Sequence, residues 1–207
     1  MSSNRVSSIE GHGPALAVLD ISDVPPALST LDALAKEAPI HIVGRGTVQP
    51  GRYLIVFSGS VEAVEFAYDK AIMTCGEALA DSVLLPFADE RITPSFVNGT
   101  VHWPAPGDTL AAFQLAHPPT MVATVDAALK GAYVELVTLR LSDGLGGRAV
   151  AYLWGETHDV EAAVAIGEAR ARAGRSDGLS TSIVRNADPE VIEAFRSGTT
   201  FFGEWRG

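Results

Sequence analysis

Residues 31–44 read LDALAKEAPIHIVG, and residues 125–138 read VDAALKGAYVELVT. Asp32 pairs with Asp126, Lys36 with Lys130 and Ala38 with Ala132 at one constant offset, which also aligns Leu16-Ala17 with Leu110-Ala111. Further on, GSVEAVE at 59–65 aligns with GETHDVE at 155–161 at an offset two residues longer. The second half therefore carries two extra residues in the turn that contains SDGLGG at 142–147. A match that keeps its phase across a strand, a helix and a second helix marks a duplicated unit.

Both halves show the same order of elements. Residues 15–21 are a short apolar run, and DVPP at 23–26 supplies Asp23 as N-cap and two early prolines, so a helix is expected to about Lys36. The β-rich runs 40–43 and 53–57 are joined by GRGTVQPG at 44–51, whose glycines and proline predict a hairpin with a prominent tip. Val61, Val64, Tyr68, Ile72 and Cys75 fall at helical spacing behind Ser60, a second N-cap. A strand at 82–86 and a short helical segment from Asp89 to about Phe96 close the unit, and the second half repeats it from Leu110 to Phe195.

The expected organisation is a mobile tail at 1–13, a first domain at 14–97, a linker at 98–108, a second domain at 109–198 and an aromatic tail at 199–207. Phe201, Phe202 and Trp205 of that tail suit docking on cargo, on a neighbour or on their own domain. Each domain reads β-α-β-β-α-β, so the fold class is α+β: two tandem ferredoxin-like units, each an antiparallel sheet with helices on one face.

The 207 residues, 47% hydrophobic and 19% charged, accommodate two cores of this size. With 15 Lys plus Arg against 25 Asp plus Glu, the net charge of −10 removes the attraction that nucleic-acid binding needs. No apolar run reaches the roughly 18 to 20 residues that span a bilayer. The single cysteine excludes an intrachain disulfide, and no basic-then-apolar leader is visible. A soluble, cytoplasmic protein is expected, with neither nucleic acid nor membrane as partner.

Enzyme chemistry finds no foothold. There is no Gly-x-Ser-x-Gly elbow and no phosphate-binding loop, and GLGG at 144–147 lacks dinucleotide spacing. His12, His41, His102, His117 and His158 include no pair at metal-ligand spacing. His158-Asp159 reads as a first-turn surface feature, and Cys75, whose repeat partner is Ala171, as a small core residue. No catalytic site, no metal and no cofactor are expected.

The element order, with the residues at its turns, resembles the shell domain of bacterial microcompartments. The matching pieces are ALAVLD at 15–20, DALAK at 32–36 and GTVQPG at 46–51, then LAAF at 110–113, DAALK at 126–130 and LSDGLGG at 141–147. RLSDGLGGR at 140–148, followed by Gly155 and DVE at 159–161, is similar to the second domain of fused trimeric shell proteins. The resemblance implies a structural protein of the shell in the cytoplasm, whose homotrimer presents six domains as a pseudohexamer and tiles the facets. Other shell proteins of the same compartment and encapsulated enzymes are the implied partners, with small metabolites in transit through a central pore.

The resemblance also assigns residues. Thr47, Val48, Gln49, Pro50 and Gly51 of the first copy, with Ser142, Asp143, Gly144, Leu145 and Gly146 of the second, would line the pore. Asp143 would give a ring of three carboxylates favouring cations or polar neutral metabolites. In water, two unit charges at roughly 8 Å interact by only about 0.5 kcal/mol, so the filter is weak. Lys36 and Lys130, at helix ends where a cation suits the dipole, and Arg185 would lie at the tile edge, with Phe87 standing where the first copy would need that arginine. Each half begins with its opening strand, which implies the unpermuted type. Neither pore loop contains the cysteine with which propanediol-utilisation shell proteins hold an iron–sulfur cluster, so metabolite passage is implied over electron transfer. The alternative is a duplicated ferredoxin-like sensor that binds a small molecule at its domain interface.

Overall fold

The computed structural model of the chain describes residues 13–99, 102–105, 107–142 and 144–197. The expected tails at 1–13 and 199–207, apart from Gly13, lie outside these residues, as does Asp143. The first half forms β1 (Ala15–Ile21), α1 (Val24–Glu37), β2 (His41–Val48), β3 (Arg52–Gly59), α2 (Val61–Cys75), β4 (Leu79–Leu85) and α3 (Ile92–Asn98). The second forms β5 (Thr109–Leu115), α4 (Pro118–Gly131), β6 (Val134–Leu141), β7 (Ala149–Gly155), α5 (Thr157–Arg172), β8 (Ser180–Val184) and α6 (Pro189–Ser197). The sheets run β2-β3-β1-β4 and β6-β7-β5-β8 with every neighbour antiparallel. This is the expected β-α-β-β-α-β arrangement, twice.

The copies agree in details that sequence alignment does not reach. A register shift falls at Ile42/Gly44 in β2 and at the matching Leu136/Thr138 in β6. Ala88 N donates to Pro14 O at 2.9 Å, and its counterpart Ala187 N donates to Asp108 O at 3.3 Å. These pairings fix which residue of one half stands for which of the other. Leu28 corresponds to Val122, Asp20 to Gln114, Asp81 to Ser180, Phe87 to Asn186 and Asp89 to Asp188, so Pro86 and not Phe87 stands in the place of Arg185.

Local chemistry explains the element starts. Pro25-Pro26 and Pro118-Pro119 occupy first turns, where a missing N–H leaves no hydrogen bond unmade. Ser60 caps α2 by accepting from Ala63 N at 3.3 Å. Asp23 holds the N-cap position of α1 without a side-chain cap bond and accepts from Ser22 Oγ instead.

Two expectations need correction. The first hairpin has no long tip: β2 continues through Gly44, Arg45, Gly46 and Thr47, which pair with β3, so only 49–51 turn. Ladder hydrogen bonding outweighs the loop preference of the two glycines. The buried stripe of α2 leans toward Ala63, Ala67 and Ala71, whose small side chains allow close approach, leaving Tyr68 and Ile72 partly exposed. The first sheet carries its own two long helices on one face, as expected, and a helix of the second domain covers the other.

β1 demands cover on both faces, because all seven of its residues are buried. Side chains alternate across a sheet. Ala15, Ala17, Leu19 and Ile21 join the core with the residues of α1 and α2, whereas Leu16 and Val18 belong to a second cluster with Val56, Val83 and α4 of the other domain. The far face of the first sheet is thus roofed by α4, which packs on β1 and β4.

The two cores reach the same packing with different volumes. Leu19 and Ala71 in the first copy become Phe113 and Gly167 in the second, and a Cβ on Gly167 would lie 2.7 Å from Phe113 Cε1. Gly167→Ala is expected to destabilise the fold by about 1–3 kcal/mol. Phe113→Leu in the same chain is expected to recover much of that loss, and a double-mutant cycle by denaturant unfolding measures the coupling. Simply additive losses would contradict the exchange of volume.

Candidate functional site

Two turns lie side by side. Thr47 is exposed and pairs with Tyr53, Val48 is half-buried opposite Arg52, and Gln49, Pro50 and Gly51 form an exposed turn. In the second copy, Ser142 N donates to Arg148 O at 3.0 Å and Arg148 N to Leu145 O at 3.2 Å. Ser142 is buried, Leu145 half-buried, and Gly144 and Gly146 are exposed. Gly147, at φ +84°, packs so tightly under the first turn that an added Cβ would meet Gln49 O at 2.7 Å. Only glycine fits there without strain. The chain therefore brings the described residues of the two sets expected at a pore together at one end of its hairpins.

At the opposite end of the hairpins the domains meet in a polar seam. Arg91, just before α3, donates Nη2 to Asp89 Oδ2 at 2.8 Å and Nη1 to Val134 O at 2.7 Å, and pairs with Glu135 at 3.2 Å. Its Nη2 also donates to Leu129 O at 3.3 Å. These bonds raise the Arg91 pKa, the hydrogen bond to Asp89 most of all. Against the opposing effect of burial, hydrogen bonds from the Arg91 side chain and backbone hold the Asp89 carboxyl below its usual value. Asp89 N donates to Asp126 Oδ1 at 2.8 Å, and Lys130 Nζ bridges Asp126 Oδ2 and Phe87 O. Toward the turn end of the seam, Asp81 Oδ2 accepts from Thr120 N and Oγ1 at 3.0 and 2.9 Å, fastening β4 to the start of α4.

A BMC-domain family model matches residues 15–87 and again residues 110–187. The chain belongs to the BMC domain family. It is a structural shell protein of a bacterial microcompartment. It is 26% identical over 154 residues to the bacterial microcompartment shell protein PduT of Citrobacter freundii, covering 73% of this chain and 82% of that protein. Its fold is similar to a microcompartment protein from Desulfitobacterium hafniense DCB, with TM-score 0.75 at 20% identity over 86% of this chain and 98% of the other. It is also similar to a fused permuted hexameric shell protein from the RMM microcompartment, with TM-score 0.58 at 19% identity over 77% and 84% of the two chains.

For a BMC-domain chain the candidate edge residues have informative positions. Lys130 is held in the seam with its side chain 45% exposed, whereas Lys36, bonded only to Asp32 of its own helix among the described residues, is 74% exposed. Arg185 donates to Glu161 and is exposed. Cys75, the one cysteine of the chain, is buried in α2, away from both turns.

A cavity of about 980 Å³ opens beside Lys130, walled by Arg91, Tyr133, Glu135, Trp154 and His158 among others. It is the kind of domain-interface space that the sensor reading requires. Its lining mixes the basic side chains Arg91 and Lys130 with the acidic Asp108, Glu135, Glu156 and Asp159, so no cluster of one charge marks it as a ligand site. The described residues include no group of three His, Cys, Asp or Glu placed to hold a metal, and no helix long and apolar enough to cross a membrane.

Arg91 was not singled out by its sequence, because its partners Leu129, Val134 and Glu135 lie some 40 residues away along the chain. The weak signal was an acidic-basic pair, Asp89 and Arg91, at the end of an apolar strand. Removing the guanidinium by Arg91→Met is expected to cost about 2 kcal/mol, as losing charge-assisted hydrogen bonds does. The cost should be present at neutral pH and fade only below the ordinary carboxylate range, because the Asp89 pKa is lowered in the fold. Denaturant midpoints of both proteins across pH measure it; equal midpoints at neutral pH would contradict the role of Arg91.

Proposed function

We propose that three chains close into a ring of six domains that tiles a shell facet and leaves a central opening for metabolites. The observation that carries this reading is the difference in burial between matched residues of the two copies. Val122 on α4 is fully buried, in one cluster with Val18, Val56 and Val83 of the first sheet. Its counterpart Leu28 on α1 is 53% exposed. The counterparts of the three valines, Ala112, Tyr152 and Ser182, are half-buried or exposed. One chain thus carries one satisfied seam and the two unmatched halves of another.

The polar residues follow the same rule. Asp126 and Lys130 have side chains 9% and 45% exposed, against 63% and 74% for Asp32 and Lys36. In the ring, Asp32 would accept from the backbone N–H of the partner's Asp188, and Lys36 would reach the carbonyl of the partner's Asn186. This repeats the contacts of Asp126 with Asp89 and of Lys130 with Phe87. Such a head-to-tail contact closes when its rotation divides the circle, and six domains give a homotrimer with pseudo-sixfold symmetry.

The hairpins set the radial order. β2 and β6 each have eight residues, about 26 Å of strand, between their lysine-bearing helix and their turn. With the turns 47–51 and 142–146 at the axis, Lys36 and Lys130 fall at the perimeter. Arg185 follows Val184, which pairs with Leu110 at that same outer end. These three residues are the tile-edge contacts to other shell proteins. Asp143 adds a weak carboxylate ring at the opening, and the chain acts without an enzymatic site of its own. Residues 14–97 and 109–198 serve as the two shell domains, with 98–108 between them, and encapsulated enzymes are partners on one face of the tile.

Leu28→Glu tests the ring. It places a carboxylate where Val122 is dry in the other seam, so the variant is expected to keep its circular dichroism, sediment as single chains and form no sheets under the electron microscope. Trimers and sheets unchanged by Leu28→Glu would overturn the reading.

A further inference from the structure

β1 buries a charge. Asp20 is fully buried and lies on the seam side of the strand with Leu16 and Val18. Its counter-ion is Arg52, the first residue of β3 after the 49–51 turn, with Nη1 2.7 Å from Asp20 Oδ2 and a side chain 16% exposed. The same guanidinium crosses to the other domain, where Nη2 donates to Gly147 O at 2.7 Å and to Ala116 O at 3.5 Å. Gly147 is the residue pressed under the first turn, with space for no Cβ between it and Gln49 O or Pro50 Cδ. Arg52 therefore ties together the two turns at their point of contact.

Stability alone does not account for this pair. Neither oxygen of Asp20 nor Nε of Arg52 has a well-formed hydrogen bond among the described residues. A buried ion pair left with such unmet atoms stabilises a fold less than apolar packing would. The second copy also does without it. Gln114 replaces Asp20, standing between Val150 and Ser180 as Asp20 stands between Leu54 and Asp81, and Arg148 replaces Arg52 but is exposed.

We propose that Asp20 and Arg52 are positioning residues of the opening: Asp20 fixes the guanidinium, and the guanidinium locks the second turn against the first within each chain. The inference rests on the ring reading for its consequence at the pore. Seams between chains carry Gln114 and Arg148 and lack the lock, so the opening has three fixed and three loose turn contacts and threefold rather than sixfold symmetry.

The lock is sensitive to protons. Burial raises the Asp20 pKa to about 6; Arg52 on β3, His117 before α4 and Arg175 after α5 lower it, and Asp81 on β4 adds to the rise. His117 is itself paired with Asp177 at 3.0 Å, and Arg175 donates to Ala80 O. Because the folded value lies above the ordinary one, the fold favours the neutral acid. Acidification through about 6 removes the counter-charge of Arg52 without weakening the fold as a whole. Local loosening and global stability are expected to part company here.

Hydrogen exchange at the amides of Ser142, Leu145 and Arg148, which close the second turn, reads the lock directly. After correction for intrinsic pH dependence, their protection in the wild-type protein is expected to fall roughly tenfold between about pH 7.5 and about pH 5, the loss of one charge-assisted hydrogen bond. Asp20→Asn is expected to show the low protection at both pH values, with a melting temperature at the higher pH no lower than that of the wild type. Arg52→Lys, which cannot reach both Asp20 and Gly147, serves as the second variant and is expected to behave likewise. Protection unchanged by pH and by both substitutions would overturn the proposal, and so would a melting temperature that falls in step with protection. The readout lies within one chain, so failure of the ring reading would appear in oligomeric mass and leave these exchange rates as they are.

Discussion

The packing of α4 across the far face of the first sheet is the contact on which the rest of the structure depends. A sheet apolar on both faces must be covered on both. β1, buried along its whole length, makes the first sheet of this kind. Its own helices cover one face, and the neighbouring domain must supply the other. α4 pays for this double duty in composition: its buried residues run from Pro118 to Asp126 without a break and resume at Ala128 and Leu129, whereas α1 buries only Ala27, Thr30 and Leu34. Two copies of one domain therefore behave differently within a single chain because one has a neighbour and the other lacks one. The contact is head-to-tail, and a head-to-tail contact that has been made once asks to be made again.

Duplication frees the copies to diverge where symmetry would otherwise bind them. In the cores the divergence is neutral in volume, Leu19 with Ala71 becoming Phe113 with Gly167. Along the seams it is not neutral in charge. The seam inside the chain has Asp20, Arg52 and the bond from Thr120 to Asp81, whereas the matching positions hold Gln114, Arg148, Pro26 and Ser180. The longer second turn belongs to the same pattern, since its Gly147 provides both the close approach and the carbonyl that Arg52 holds.

Much of this was legible in the residues. The repeat, the order of elements and the site of the two-residue insertion follow from local matches, and the packing confirms the α+β class. The hairpin tip was misjudged because Gly44 and Gly46 carry loop propensity, whereas their place in β2 depends on hydrogen bonds to β3 that no local window contains. Lys130 read as a tile-edge residue at a helix end, and its bond to Phe87 O, which joins segments far apart in the chain, was not legible. Asp20 did leave a trace: an aspartate one residue from the end of ALAVLDI, an otherwise apolar strand, signals either an edge or a buried charge. Its partner Arg52 left none, because the contacts that bury it come from β1 and from the second turn, far away in the chain.

The central claim is that the exposed half-seams of one chain fit those of the next. Cysteines at Asp32 and Asp188, joined by a short bifunctional thiol reagent in a Cys75→Ala background, test it most directly. Cysteines at Asp89 and Asp126, which meet within one chain, calibrate the reach of the reagent. The account predicts efficient coupling of Asp32→Cys to Asp188→Cys between chains, ending in a closed covalent trimer. Coupling within single chains only, or no coupling where the calibrating pair reacts, would contradict it.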